Sequence, residues 1–172
     1  MLIDTGLLVL RVIIGALFIG HGAQKLFGWF GGPGLKGFIG GLAKTNVWPA
    51  PFWALTGGLS EFGGGLLLLL GFLNPLGSLG ISAAMLTAII TVHWSKGFWN
   101  SKGGIEFPLA NLAAALAVAL IGPGAYSLDA ALAIAMPEPV SVIVGYTLVV
   151  LGVVTMLITK HQPAQSNQSR AA

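Results

Sequence analysis

Residues 51–73 read PFWALTGGLSEFGGGLLLLLGFL. The stretch is apolar over a length that crosses a bilayer, for which a helix needs about 20 residues. Its one ionisable residue is Glu61. A charge at such depth costs about 2.5–3.5 kcal/mol on insertion scales, and intramembrane acids usually face a bundle interior or a pathway. Gly57, Gly58, Gly64 and Gly65 flank Glu61 on its own helical face. Small residues let helices approach closely in lipid. The pattern predicts a helix whose glycine face packs against protein, with Glu61 inside a bundle.

Composition extends that reading to the whole chain. Of 172 residues, 55% are hydrophobic and 8% are charged, and the mean hydropathy is +0.88. A soluble domain carries about 25% charged residues. Too few charges remain to cover a soluble surface, so the lipid bilayer is the expected solvent and no nucleic-acid partner is expected. Cysteine is absent. That excludes disulfides, thiol catalysis and cysteine-ligated metal centres within these residues.

Apolar spans fall at residues 5–23, 52–73, 76–94, 107–121 and 140–159. The fourth is the shortest. Gly- and Pro-rich breaks separate them, including Gly31-Gly32-Pro33-Gly34, Trp48-Pro49-Ala50-Pro51 and Gly122-Pro123-Gly124. The break at Asn74-Pro75 is short enough to join spans two and three as an antiparallel hairpin. The first ten residues carry no Lys or Arg, and Arg11 interrupts what would be the apolar core of a signal peptide. Span one is therefore expected to stay in the mature protein. The polar tail after Lys160 lacks periodicity and is expected to be disordered. The fold class is all-α, a polytopic transmembrane helical bundle.

Basic residues set the expected orientation. Lys25, Lys36 and Lys44 follow span one, Lys96 and Lys102 follow span three, and Lys160 and Arg170 follow span five. All of these share one side. The other side holds Asn74-Pro75 and the loop with Asp129 and Glu138, and no Lys or Arg outside a span. This places the C-terminus and the basic loops in the cytoplasm and the N-terminus outside. Within the long connection over residues 28–51, Leu35, Phe38, Ile39 and Leu42 have the spacing of a short amphipathic helix. Its lysines suit an anionic leaflet. An interfacial linker and a gating or substrate-binding element both remain open for it.

The polar residues of the spans form two groups. Arg11, Phe18, His21, Gly22 and Lys25 share one broad face of span one. Counting helical rise inward from the span ends puts Glu61 roughly 13 Å from the cytoplasmic end and Arg11 about 9 Å from the outer end. The two then differ in depth by only about 7–8 Å, within reach of an extended arginine. An Arg11–Glu61 ion pair is the economical structural reading. The second group lies toward the cytoplasmic end: His21, Lys25, His93 and Glu106, a polar pocket with Glu61 at its floor. No HxxxH or HExxH spacing is present and no metal site is expected. Trp94, Phe98 and Trp99, with Trp29, Trp48 and Trp53 at the same level, read either as an interfacial aromatic belt or as the mouth of a site for a flat apolar ligand such as a quinone. Asn111 is expected to hydrogen-bond between helices.

Taken in order, these residues resemble the DoxX family of small bacterial membrane proteins. The resemblance rests on Leu10-Arg11-Val12-Ile13-Ile14-Gly15, His21-Gly22-Ala23-Gln24-Lys25-Leu26-Phe27, and Gly58-Leu59-Ser60-Glu61 with Gly64-Gly65. It continues through Val92-His93, Gly97-Phe98-Trp99 and Gly104-Ile105-Glu106-Phe107-Pro108-Leu109, over about residues 5–133. The combination is fairly specific, whereas any one element alone is weak. The resemblance implies a four-helix DoxX-like core over residues 1–135. To this the chain adds a further transmembrane helix over 136–160 and a polar tail over 161–172. The added span departs from the family core and suits either oligomer contacts or placement of the C-terminus. Some relatives look like membrane subunits of thiosulfate:quinone oxidoreductases, and others are linked to oxidative-stress and thiol homeostasis.

The leading functional expectation is therefore the membrane subunit of a redox complex in the bacterial inner membrane. Glu61, His21 and His93 are its candidate catalytic residues. Arg11, Lys25, Trp94, Trp99 and Glu106 are its candidate quinone-binding residues. No flavin, nicotinamide or haem motif is visible, so electrons would arrive from a soluble redox partner, and sulfur chemistry would belong to that partner. Quinone reduction consumes protons, and a buried carboxylate is a group to relay them. A small-solute or proton-coupled transporter is the second reading, needing a homo-oligomer because the spans are few and no inverted repeat is evident. A non-catalytic anchor for soluble enzymes is the third.

Overall fold

The computed structural model describes residues 1–160. The predicted disordered tail lies outside the described residues. The architecture is helical: α1 (Leu2–Phe27), α2 (Gly34–Lys44), α3 (Ala50–Leu70), α4 (Leu76–Ala88), α5 (Glu106–Ile121), the single turn α6 (Leu128–Ala131) and α7 (Val140–Ile158). Among the described residues there is no strand. A π-helical turn at Ile89–His93 and a 3-10 turn at Trp94–Lys96 carry α4 onward. Among the described residues four helical stretches are long and apolar enough to cross a membrane: Leu2–Phe27, Ala50–Leu70, Leu76–Lys96 and Val140–Ile158. The expected fourth span is α5, with 16 residues. At 1.5 Å per residue it covers about 24 Å, less than the roughly 30 Å of a hydrocarbon core.

Local chemistry sets the ends. α1 stops at Gly28, whose φ of 75° is the left-handed conformation that glycine adopts without a Cβ penalty. It thus runs past residue 23 and takes Lys25 into its last turn. α3 opens behind Pro49, with Pro51 in its first turn, and closes at Gly71, where φ is 61°. There the Phe72 amide donates to the Leu67 carbonyl at 2.9 Å, satisfying a carbonyl the helix end would otherwise orphan. The amphipathic helix expected within residues 28–51 is α2.

Glycines fix how the long helices meet. A Cβ on Gly15 would lie 2.7 Å from the Gly65 carbonyl oxygen, and one on Gly22 would collide with the Phe62 backbone. These contacts lock α1 antiparallel to α3. On the next face of α3, a Cβ on Gly77 would sit 2.6 Å from the Leu68 nitrogen, and one on Gly80 would sit 2.9 Å from the Ser60 carbonyl oxygen. α4 therefore lies as close to α3 as backbone allows, forming the predicted hairpin. α5 closes the group against α4 and α1. Between these four helices sits the core of Leu7, Phe18, Leu68, Ile81, Met85, Ala115 and Val118. α7 packs on α4, with Gly145 against Leu79 and the Tyr146 hydroxyl 3.0 Å from Ser82 Oγ. Its outer side, including Ile143, Leu151 and Ile158, is exposed and apolar, as a lipid-facing helix should be.

The end of the bundle opposite the lysines is tied down by one connection. Residues 122–135 fold across the α3–α4 turn. The Asp129 carboxylate, 5% exposed, accepts the Leu73 and Asn74 amides at 2.8 Å each. The Asp129 amide in turn donates to the Gly71 carbonyl at 3.0 Å. Ser127 caps α6 by accepting the Ala130 amide at 3.1 Å.

Candidate functional site

Glu61 is buried, as its glycine-lined face requires. Its partner is not Arg11. Lys25 Nζ lies 2.6 Å from Glu61 Oε1. Arg11 sits at the opposite end of the bundle, donating to the Tyr126 carbonyl and packing against Gly71. From Glu61 to Gly71 is ten residues of α3 and its cap, about 15 Å. The expected Arg11–Glu61 pair is thus excluded by helix register. Depths counted from the span ends brought the two together, but the Gly15–Gly65 and Gly22–Phe62 contacts slide α1 so that Lys25 is the cation beside Glu61.

The pair borders a cleft of about 680 Å³ between α3 and α7, floored by α4 and closed at the lysine end by Phe38 and Leu42 of α2. Its walls are apolar over most of their area. Along α4 the lining runs from Pro75 to Val92, roughly 25 Å of helical rise and most of a bilayer's depth. Glu61 is 4% exposed and Lys25 30% exposed, so the lysine links the buried carboxylate to the bundle end. Lys25 Nζ also stands 4.9 Å from the centre of the Phe38 ring, a cation–π contact from α2.

Buried polar atoms in this cleft lack partners. Glu61 Oε2, Trp53 Nε1 and Ser141 Oγ are all buried without a hydrogen bond, and all three residues line the cleft. Trp53 is eight residues from Glu61 on α3, about 12 Å toward the lysine end. Ser141 lies in the first turn of α7, at the other end. Such groups are normally satisfied by protein, water or a ligand. The cleft wall therefore holds an unpartnered acceptor near its centre, at Glu61, and unpartnered polar groups toward each end, at Trp53 and Ser141.

The other predicted site residues lie elsewhere. The His21 ring is 6.2 Å from both Phe18 and Phe107, turned toward α5. His93 Nδ1 is 2.6 Å from the Gly103 carbonyl oxygen and holds the loop before α5. Glu106 accepts the Asn100 amide at 2.8 Å within that same loop. Trp94 and Trp99 are exposed at 70% and 62%, outside the cleft lining. Of the expected polar pocket, the fold brings only Lys25 to Glu61. Asn111 donates to the Phe107 carbonyl of its own helix at 2.8 Å, not to a neighbouring helix. Trp53 was hidden among the belt tryptophans, and Ser141 carries no local sequence signal.

The fold and the intramembrane ion pair define a multi-pass helical membrane protein with a lipid-depth cleft. Residues 6–94 match the DoxX family profile, and the chain belongs to the DoxX family. It is similar to the inner membrane protein YqjF of Escherichia coli (strain K12), with 32% identity over 135 residues, covering 73% of this chain and 91% of YqjF. No solved structure matches the chain. The family match holds α1 to α4, and with them Arg11, Lys25, Glu61 and His93. The cleft wall contributed by α7 lies wholly beyond it.

Proposed function

We propose that this protein is the membrane subunit of an inner-membrane redox complex and holds a carrier of the quinone class in the cleft. The observation that carries the reading is a mostly apolar cleft of bilayer depth whose wall residues Glu61, Trp53 and Ser141 carry unpartnered polar atoms, Oε2, Nε1 and Oγ. Ligand sites are typically concave, mostly apolar and about 300–1,000 Å³, with a few placed polar groups. The residues fit the group: N–H donors at Lys25 and Trp53 suit carbonyl oxygens, and the rest of the wall suits a lipid tail. A quinone, when bound, accepts two electrons and two protons. The chain's own part is to bind, to exclude water and to move a proton at Glu61. Lys25 connects that carboxylate to the bundle end. His21 and His93 then act outside the cleft, in packing and in holding the loop before α5. Electrons come from a soluble partner protein recruited at the lysine-bearing end, which faces the cytoplasm. In this reading a DoxX core over residues 1–135 is joined by an added helix over 136–160 that completes the cleft.

The length of the cleft favours a second reading, a carrier for an apolar or proton-coupled solute. Quinone content separates the two. Wild type and Glu61→Gln are purified in mild detergent and extracted, and bound quinone is measured per mole of folded protein. Stoichiometric quinone in wild type, reduced in the variant, supports the redox reading. Background quinone in both folded proteins removes it and leaves transport or anchoring.

A further inference from the structure

A second polar site lies at the opposite end of the bundle, independent of the cleft. Arg11 is 1% exposed, yet its Nε and Nη1 have no hydrogen-bond partner. Asn74 Nδ2 and Ser78 Oγ, on residues 8% and 1% exposed, are also unpartnered. All three residues line one small void of about 10 Å³ between α1, α3 and α4. That is on the order of the space one water-sized occupant needs.

The chemistry of the wall selects the occupant. Arginine and amide nitrogens only donate, and a serine hydroxyl can donate. A water accepts at most two such bonds and then needs acceptors for its own hydrogens. A monoatomic anion accepts from every side. Arg11 is the one charged residue in that wall. Among the described residues no carboxylate lies within ion-pair distance of Arg11. The Asp129 carboxylate, which closes the neighbouring turn, has both of its oxygens accepting backbone amides. Ser78 stands in the first turn of the 13-residue α4, which has no side-chain cap. That end carries positive partial charge and binds anions readily. Gly71 keeps the space open for arginine, since a Cβ there would overlap Nη1.

We infer that Arg11, Asn74 and Ser78 form a buried site for one halide-sized monovalent anion, with the α4 N-terminus beneath it. The anion neutralises the intramembrane arginine and joins α1 to the α3–α4 turn.

The test uses the full chain in mild detergent, dialysed into a halide-free gluconate buffer. Bromide is then titrated at constant ionic strength. Melting temperature is followed, and bromide bound beyond the dialysate is counted by ion chromatography. The expected result is about one bromide per chain and a melting temperature that rises with bromide. Ser78→Ala should fold and need about tenfold more bromide for the same effect, the worth of one hydrogen bond to a charge. Gly20→Ala, where a Cβ meets nothing within 4 Å, should leave the bromide response unchanged. No bound bromide, with equal melting in bromide and gluconate, means the void holds water and overturns the site. Bound bromide that Ser78→Ala does not weaken places the anion elsewhere and overturns it equally. Arg11→Met is not needed for either outcome, because it also removes the bond to Tyr126.

Discussion

Lys25 Nζ and Glu61 Oε1 meet at 2.6 Å across the α1–α3 interface, the one ion pair between side chains among the described residues. The carboxylate is buried and the ammonium is partly open to the bundle end. Removing the lysine strands a buried charge, which is worse than removing both partners. Lys25→Met should therefore lower stability by about 1–3 kcal/mol, and Lys25→Met/Glu61→Leu should recover most of it. Thermal unfolding in detergent checks this. A double variant no more stable than the single one would mean the pair contributes through something other than charge compensation.

The glycine contacts make a sharper contrast. Gly22 and Gly20 lie two residues apart on α1. A Cβ on Gly22 runs into the Phe62 backbone, whereas a Cβ on Gly20 meets nothing within 4 Å. Gly22→Ala must separate α1 from α3, so folded yield should fall severely. Gly20→Ala should be neutral or stabilising by up to about 1 kcal/mol, since alanine is the better helix former. Equal yields for the two variants would contradict the α1–α3 register.

That register is also where sequence reasoning stopped. The buried Glu61, its glycine face, the α3–α4 hairpin and the amphipathic α2 were all legible, because each is written in residues a few positions apart. The Arg11–Glu61 pairing was not, because it depends on how far one helix slides along another. Arg11 and Lys25 stand about 21 Å apart along α1, and only the way α1 lies along α3 decides which of them meets Glu61. Asp129 was illegible for a related reason: its partners Leu73 and Asn74 stand 55–56 residues away in sequence. The cleft needs α7 laid along α4, and nothing in residues 140–158 names that neighbour. Asn111 found its bond one turn back on its own helix, a choice that spacing alone leaves open.

Asp129 supports a third expectation. It closes the α3–α4 turn by accepting two amides. Hydrogen bonds to charged groups contribute about 1.5–3 kcal/mol each. Asp129→Asn keeps one carbonyl acceptor and loses the charge. It should destabilise the protein by about 2–3 kcal/mol. It should also speed hydrogen exchange at the Leu73 and Asn74 amides, while amides in the middle of α3 keep their protection. Unchanged exchange at both positions would show that the connection is held by packing alone.

The absence of cysteine makes orientation directly measurable. α7 runs parallel to α4, as the Gly145–Leu79 and Tyr146–Ser82 contacts require, so Lys96, Lys102 and the C-terminal end of α7 share one end of the bundle. If the basic end faces the cytoplasm, a cysteine at the Asp129 end must be reachable from outside. Tyr126 and Ser101 are exposed at the two ends, and the contact that Tyr126 makes to Arg11 is through its backbone carbonyl. Tyr126→Cys should therefore react with a membrane-impermeant maleimide on the outer face of the inner membrane, and Ser101→Cys only after the membrane is opened. The reverse pattern inverts the orientation and moves the proposed docking of a soluble electron donor to the other side. Labelling of both before opening would show that the α5 region does not cross as a fifth span.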